Sequence, residues 1–369
     1  MWTISQEKDW KTLEEKFAWV TVMKTVPQDI RHHAEGDVAV HTQMVLKALA
    51  GLKGFQALSA KQQECLWASA LLHDVEKYST TVTEPDGSIT AHGHARKGAM
   101  TTRSILYREI PAPFSLREAI TGLVRYHGLP LWLLEKPDPV KQVIKASMEV
   151  DTEWLALLAR ADVLGRICAD REELLYRIDC FEEFCREKDC WGKPRDFVSP
   201  AGRMDYLMRE DGNPDYEPFE KPQFEVVLMS GLPGSGKDNL IRQRYKDRPV
   251  ISLDGLREEM GIDPRDKSGN GQVIQAAKEK ARELLRKRLN FVWNGTNITR
   301  QMRSQLIELF TQYKASVRIV YIEVPYQRLM HQNRNREAVV PAAALEKLIR
   351  KLEVPVAWES HELDVIVDG

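Results

Sequence analysis

The chain has 369 residues, 53 Lys+Arg against 54 Asp+Glu, with 43% hydrophobic and 29% charged content, which fits an ordinary globular protein long enough for two cores. No apolar run suits a transmembrane helix, and the charged N-terminus (Lys8, Asp9, Lys11, Glu14, Glu15, Lys16) does not read as a signal peptide, so a cytoplasmic location without a membrane partner is expected. Five cysteines (Cys65, Cys168, Cys180, Cys185, Cys190) make no disulfide framework, and the every-fifth spacing of the last three puts neighbours on different helix faces, so reduced thiols are expected rather than a zinc site.

Residues 1–190 read as nearly continuous helix with short breaks, since Val45–Leu49, Leu66–Leu72 and 155–158 carry helical periodicity and β-branched clusters are sparse. Histidines and aspartates recur where these helices begin or end. Glu35-Gly-Asp-Val-Ala-Val-His41-Thr opens one helix, and Leu71-Leu-His73-Asp74 closes another. His92-Gly-His94 precedes a third near Ala95, Tyr126-His127-Gly ends a fourth, and Arg160-Ala-Asp162 lies inside a late one. Imidazole and carboxylate together suit Mn, Fe, Co, Ni or Zn better than Ca or Mg. Adjacent His73 and Asp74 let a histidine bind one ion while the carboxylate bridges two, an arrangement that polarises phosphoryl groups and generates hydroxide near neutral pH. A single helical histidine is more often structural than a ligand, so the ordered set carries the weight. His32 and His33 fall outside it and are expected at the surface.

The wording of these motifs resembles the HD phosphohydrolase superfamily over about residues 30–190. Glu35-Gly-Asp-Val-x-x-His41-Thr, His73-Asp-Val-Glu-Lys77, Gly93-His-x-x-x-Gly-Ala99 and Arg160-Ala-Asp-x-x-Gly165 are similar to the HD domain of bacterial CCA-adding enzymes. The resemblance implies that His41, His73, Asp74 and Asp162 hold one metal and His94 and His127 a second, with Lys77 meeting the scissile phosphate. Glu76 stands where that family commonly has glycine.

Around Pro194–Pro222 the pattern turns to Pro, Gly, Asp and Phe without a period, so an HD domain over 1–194, a linker over 195–222 and a second domain over 223–369 are expected. The second domain holds 24 Lys+Arg and 19 Asp+Glu, leaving 29 and 35 before it, a modest basic bias that suits a polyanionic substrate. Strands are expected at Val226–Ser230, Val250–Leu253, Phe291–Asn294, Val317–Glu323 and Val365–Val367, with helices between them at Gln272–Leu289 and Arg300–Tyr313. The alternation predicts a parallel sheet covered on both faces, so the fold class is an all-α domain followed by an α/β P-loop phosphotransferase domain.

The first of these strands runs into Gly231-Leu-Pro-Gly234-Ser235-Gly236-Lys237-Asp238. Glycines at this spacing let backbone N–H groups wrap phosphates at a helix N-terminus while Lys237 neutralises the outer ones. A nucleoside triphosphate, ATP or another NTP with Mg²⁺, is the expected ligand. Asp238 occupies the place of the usual Ser or Thr metal ligand. Two unit charges about 4 Å apart cost roughly 4 kcal/mol at an effective dielectric near 20, so Asp238 is expected to reach the phosphates only through a cation. Asp254-Gly-Leu-Arg257 follows the second strand, where Asp254 could take a proton from an attacking hydroxyl, or merely cap the next helix, and Arg257 could hold a phosphate. Trp293-Asn-Gly-Thr-Asn297 ends the third strand, and Arg300 and Arg303 follow on a helix as further expected groove residues. Asn333-Arg334-Asn-Arg336 before Val339-Val-Pro341 reads as a cationic lid. Phosphoryl transfer depends mostly on positioning and charge neutralisation, so this set suffices.

Residues 223–369 resemble the phage-type polynucleotide 5′-kinase family through Gly231–Lys237, Asp254-x-x-Arg257, Thr296-Asn297 and the segment before Val340-Pro341. The resemblance implies that Asp254 activates a 5′-OH, that Arg257 contacts the adjacent phosphate, and that Arg334 or Arg336 acts on the nucleotide phosphates. As a whole the chain resembles bacterial bifunctional HD-phosphohydrolase/polynucleotide kinases, which implies healing of RNA or DNA ends, 2′,3′-cyclic phosphate or 2′- or 3′-monophosphate hydrolysis, and an RNA ligase downstream. A small-molecule kinase fused to an HD nucleotidase, and an HD module that senses nucleotides, are the alternatives.

Overall fold

A computed structural model describes residues 1–263, 265–336 and 338–367. The chain divides into two compact units, Met1–Asp196 and Phe197–Gly369. The first is helical, and the second is an α/β domain with a five-stranded parallel sheet.

Six helices frame the first unit: α1 (Val38–Gly51), α2 (Ala60–Leu72), α3 (His94–Arg108), α4 (Phe114–Tyr126), α5 (Thr152–Leu164) and α6 (Arg171–Glu187). Side-chain caps start several of them. Asp37 accepts from Val40 N at 2.9 Å, Ser59 and Gln62 form a capping box, and Asp151 accepts from Glu153 N and Trp154 N. On α1 the buried stripe runs Val38, His41, Thr42, Val45 and Leu49. His41 therefore points into the core as a consequence of helical phase. An antiparallel ribbon of β1 (Val82–Thr83) and β2 (Ile89–Thr90) interrupts the helices, a feature outside the expected near-continuous helix.

The second unit contains β3 (Glu225–Ser230), β4 (Val250–Ser252), β5 (Phe291–Asn294), β6 (Ser316–Glu323) and β7 (Glu362–Val367), in sheet order β4-β5-β3-β6-β7 and all parallel. Each expected strand is present. The period of two decides which face each residue covers: Val226, Leu228, Phe291, Trp293, Val317 and Ile319 join one apolar cluster, and Val227, Met229, Val292, Val320 and Ile322 the other. The central strand β3 is thus buried on both sides and delivers its C-terminal loop to the crevice where parallel sheets bind ligands.

Part of the expected linker belongs to this second unit. Residues Pro200–Met208 form a helix, α7, opened by Ser199, whose side chain accepts from Gly202 N at 3.0 Å. Met204 joins the core with Phe224 and Phe310, and Arg203 donates to the carbonyls of Ser360 and His361 at 2.9 and 2.8 Å. The prolines and glycines that suggested a linker include a helix-start signal, Ser-Pro at N-cap and N1. The remaining helices used below are α8 (Lys237–Arg244), α9 (Leu253–Glu259), α10 (Lys267–Arg286), α11 (Arg300–Gln312) and α12 (Tyr326–Arg334). Among the described residues, no helix is long and apolar enough to cross a membrane.

At Gly165, just past α5, an added Cβ would sit 2.6 Å from Val45 Cγ2 and 2.8 Å from Val45 N on α1. Backbone is not free to yield, so Gly165→Ala should cost about 1–3 kcal/mol by overpacking, read as a lower midpoint in denaturant unfolding.

Candidate functional sites

The first site lies in the core of the helical unit and draws on residues far apart in sequence. His41 comes from α1, His73 and Asp74 follow α2, His94 opens α3, His127 caps α4 and Asp162 sits in α5. His41, His73, Asp74, His127 and Asp162 are all buried, and His94 is partly so. All six expected metal ligands converge. His41 Nε2 lies 3.1 Å from Asp162 Oδ1 and 3.4 Å from His73 Nε2. Asp74 Oδ2 is 3.2 Å from His73 Nε2, while its Oδ1 is 3.4 Å from His94 Nε2 and 4.0 Å from His127 Nε2. His94 and His127 bring their Nε2 atoms to 3.2 Å. His92 is exposed and takes no part.

Every ring is oriented from behind. The Nδ1 atoms of His73, His94 and His127 donate to the carbonyls of Ala70, Ala91 and Val124 at 2.7–2.8 Å, and His41 Nδ1 donates to Glu35 at 2.9 Å. Carbonyls and carboxylates only accept, so Nδ1 carries the proton and the Nε2 lone pairs face one another. Burial pushes His127 down to about 3, helped by His94 and His73, and burial also lowers His94. Burial would lower His73 too, but Asp74 and Asp162 raise it. Burial would raise both aspartates, yet His73 and Lys77 hold Asp74, and Arg166 and His41 hold Asp162, well below the usual carboxylate range. Asp74 Oδ1 is buried without a hydrogen-bond partner. Converging lone pairs, two ionised carboxylates and an orphaned oxygen fit transition-metal ions. His41, His73 and Asp162 make one ligand group, and Asp74, His94 and His127 another, with Asp74 also beside the first.

Lys77 lies 2.8 Å from Asp74 Oδ2 and donates to Gln28 at 2.7 Å. His33 is a correction. It is largely buried and shares Glu35 Oε1 with His41, at 2.8 and 2.9 Å, because the loop before α1 folds over the cluster; burial brings it down to about 4. Glu35 ties that loop to the end of α5 by accepting from Ile167 N at 2.8 Å. Arg166, whose fork grips Asp162 at 2.5 and 3.1 Å, is a further residue outside the expected set, although its place four residues after Asp162, just past the end of α5, was a usable signal.

The second site surrounds the glycine loop after β3. Gly231 has φ +148, and a Cβ there would lie 2.5 Å from Ile322 O, so only glycine fits. Gly234 and Gly236 also have positive φ, and Gly236 caps α8. Ser235 Oγ is buried without a partner. Lys237 is buried, donates to the carbonyls of Gly231 and Leu232 at 2.8 Å, and is pushed down to about 8 by burial. Asp238 and Asp254 pull it back up and Arg336 adds to the lowering, so all three act on the lysine. Asp238 is exposed in the first turn of α8, and Asn294 at the end of β5 donates to its Oδ1 at 2.7 Å. A carboxylate held by one oxygen with the other available suits a hard divalent cation beside a bound triphosphate.

Asp254 does not cap α9; Ser252 does, and Asp254 lies exposed in the first turn, ion-paired with Arg257. Arg257 also donates to Asn270 at 2.9 Å. Two expected substrate contacts are corrected. Arg303 is fully buried: its fork grips Glu359 at 2.7 and 2.8 Å, and Nη1 donates to the carbonyls of Asn297 and Glu353. A side chain so engaged braces the core because its position on α11 faces inward. Asn297, with φ +43, is buried and donates to Met229 O at 2.7 Å, tying the end of β5 to β3. Arg300 lies over the Trp358 ring at 4.6 Å. Arg334 is exposed at the end of α12 and Arg336 is half-buried. Asn333 clasps the intervening loop by exchanging bonds with Val340 at 2.7 and 3.1 Å, and its backbone lies against Gly234. Within the expected lid, Glu337 lies outside the described residues.

Residues 226–355 match the family described as AAA domain. A multifunctional CCA protein of Methylococcus capsulatus is 32% identical over 122 residues, covering 33% of this chain and 26% of that protein, so the match spans about a quarter of the relative's length. Among solved structures, a candidate kinase from Chloroflexus aurantiacus is 16% identical over 41% of this chain and 87% of its own, with a TM-score of 0.35. The Pnkp1/Rnl/Hen1 RNA repair complex contributes a chain 18% identical over 37% of this one and 45% of its own, with a TM-score of 0.33. The chain is a helical unit bearing HD-like His/Asp clusters, followed by an α/β unit that carries a P-loop and is similar to the AAA-domain family over residues 226–355.

Proposed function

We propose that this chain heals broken RNA ends, phosphorylating the 5′-OH at the P-loop site and hydrolysing 2′,3′-cyclic phosphate or 2′- or 3′-phosphate at the His/Asp site. The reading is supported by one juxtaposition above all: a buried phosphoesterase-type cluster and a P-loop with a nearby aspartate, encoded in a single chain. Cleavage by a ribose 2′-OH leaves a 5′-OH and a cyclic phosphate, and rejoining requires chemistry at both ends. The products, a 5′-phosphate and a free hydroxyl end, are what an RNA ligase joins.

In the kinase reaction Asp254, oriented by Arg257, accepts the proton of the 5′-OH as that oxygen bonds to the γ-phosphorus. The bond from phosphorus to the β,γ-bridging oxygen breaks, and ADP leaves. Lys237 and the loop amides take up the negative charge, with Arg334 or Arg336 adjoining. Mg²⁺, held by Asp238, would screen the phosphates. At the other site, metal ions would supply Lewis acidity and a hydroxide near neutral pH. Glu35 and the three backbone carbonyls keep the imidazole rings aimed, and Lys77 binds a phosphate oxygen. Hydrolysis adds water across one P–O bond, opening the cyclic ester or releasing inorganic phosphate.

One observation favours a rival. Of the three arginines expected to line an acceptor groove, Arg303 is buried and Arg300 is held at Trp358, leaving Arg257. A small-molecule acceptor at the same kinase site needs no groove.

A short RNA with a 5′-OH and a 2′,3′-cyclic phosphate, incubated with labelled ATP, Mg²⁺ and Mn²⁺, separates these readings. Asp254→Ala should lower 5′ label transfer by about 10²–10⁴-fold and spare the 3′ end. Asp74→Ala should lower 3′-end hydrolysis by at least about 100-fold and spare the 5′ end. Labelling of a nucleoside but not of RNA would replace end healing by small-molecule phosphorylation.

The lowered Lys237 also predicts a pH dependence. Between about 8 and the ordinary 10.5, the free loop has lost a proton that a triphosphate needs. ATP affinity should be level below pH 8 and then fall, approaching about tenfold per unit, in titration calorimetry. Asp254 pulls the lysine up, so Asp254→Ala should move the fall to lower pH.

A further inference from the structure

Helix α6 ends in a left-handed turn whose two contact positions are both cysteine. Asp189 stands just past the helix cap with φ +53, Cys190 N donates to Cys185 O at 2.9 Å, and Asp189 N donates to Arg186 O at 3.1 Å. These bonds fold the chain back, so that the residue after the turn lies against one in the last turn of the helix. The same turn closes α10 at Arg288 and α11 at Lys314, with φ +52 and +61. There the facing residues are Leu284 and Leu289, bonded N to O at 3.1 Å, and Phe310 and Ala315, at 3.3 Å. Hydrocarbon serves the packing role at those ends, and at α6 two thiols take its place.

Cys185 and Cys190 are free and wholly buried. Every-fifth spacing separates residues around a helix, but Cys190 has left the helix, and the fold-back brings its thiol to Cys185. Their shared hydrogen bond lowers Cys190, with Arg195 helping against burial; the same bond, with burial, raises Cys185. One thiol is thus prepared as an attacking sulfur while the other keeps its proton. The segment is also fastened to the start of α5: Thr152 Oγ1 donates to Cys190 O at 2.6 Å and accepts from Gly192 N at 2.8 Å.

We propose that Cys185 and Cys190 form a modification site, a reversible disulfide made by hydrogen peroxide that latches the end of α6 against the start of α5. Burial selects an oxidant close to water in size, since a disulfide as large as glutathione's finds no surface thiol to meet. The Cys190 thiolate attacks one peroxide oxygen and the O–O bond breaks. The departing hydroxide takes up the proton that Cys190 had lost, leaving water and a sulfenic acid. The Cys185 sulfur then attacks the Cys190 sulfur: the S–S bond forms, the S–O bond breaks, and the oxygen leaves as water with the Cys185 proton. Both sulfurs are oxidised and the peroxide is reduced to water. In a compartment kept reducing, such a bond is transient and acts as a sensor. The latch is independent of the reactions proposed for the two sites.

The test uses the full chain carrying Cys168→Ser and Cys180→Ser, which removes the two partly exposed thiols, with wild type in parallel. Native protein is treated with hydrogen peroxide, quenched with catalase, unfolded, blocked with a maleimide and mapped by mass spectrometry. The expected result is a linked Cys185–Cys190 fragment, cleared by dithiothreitol, with Cys65 still alkylated. The oxidised protein should also unfold at a higher urea concentration than the reduced one. Cys185→Ala in the same background should stall Cys190 as a sulfenic acid that dimedone captures. The proposal falls if the linked fragment is absent, if it forms only in urea-unfolded chain, or if the linkage leaves the urea midpoint unmoved or lower. Sulfinic acid at Cys190 beside an unreacted Cys185 would overturn it as well.

Discussion

Two buried carboxylates, Asp74 and Asp162, set the terms for the helical unit. Each would be intolerable in an apolar core alone, and each is surrounded by imidazoles, one long cation and, for Asp74, one oxygen left for a ligand. The helix ends follow from that requirement. His73 and His127 sit where α2 and α4 stop, and each returns its Nδ1 proton to a carbonyl three residues earlier, a bond available only where the next turn no longer competes for that carbonyl. The cluster is therefore built at helix termini, with His41 supplied by the first turn of α1 and Asp162 by the last turn of α5.

The P-loop unit meets a similar demand with backbone rather than side chains. Glycines at positive φ bring amides to the crevice, and Lys237 is held against two loop carbonyls until phosphates take their place. Its lowered pKa is the electrostatic cost of waiting in a buried position without an anion. Around it, Asn294, Asn297 and Asn333 each fix one segment: Asn294 the Asp238 carboxylate, Asn297 the link from β5 to β3, and Asn333 the loop after α12.

How much of this was legible depended on whether the signal was periodic. The five strands of the sheet are legible in apolar runs bounded by turn residues, and the converging histidines and aspartates in their positions at helix boundaries. Arg303 was misread because a basic residue after a strand end looks like a substrate contact, and only its partner Glu359, fifty-six residues later, turns it inward. His33 reads as a surface residue because it precedes α1 and has no helical phase; Glu35 and the His41 ring bring it in. α7 was lost among prolines and glycines that also mark linkers. For Arg303 the deciding contact is long-range, and no local pattern encodes it.

The six converging residues of the His/Asp site come from five separate stretches of chain between His41 and Asp162. Such a site cannot assemble locally, so it is completed only when the helices have collapsed onto one another. The collapsed unit carries inward-facing lone pairs and charge that a purely structural core would replace with hydrocarbon. Selection for stability alone would remove these residues one by one, and many replacements would make the metal-free fold firmer. On the proposed reading the cluster is a place where folding stability has been exchanged for chemistry, and metal supply during biosynthesis would then bear on how much of the chain survives in the cell.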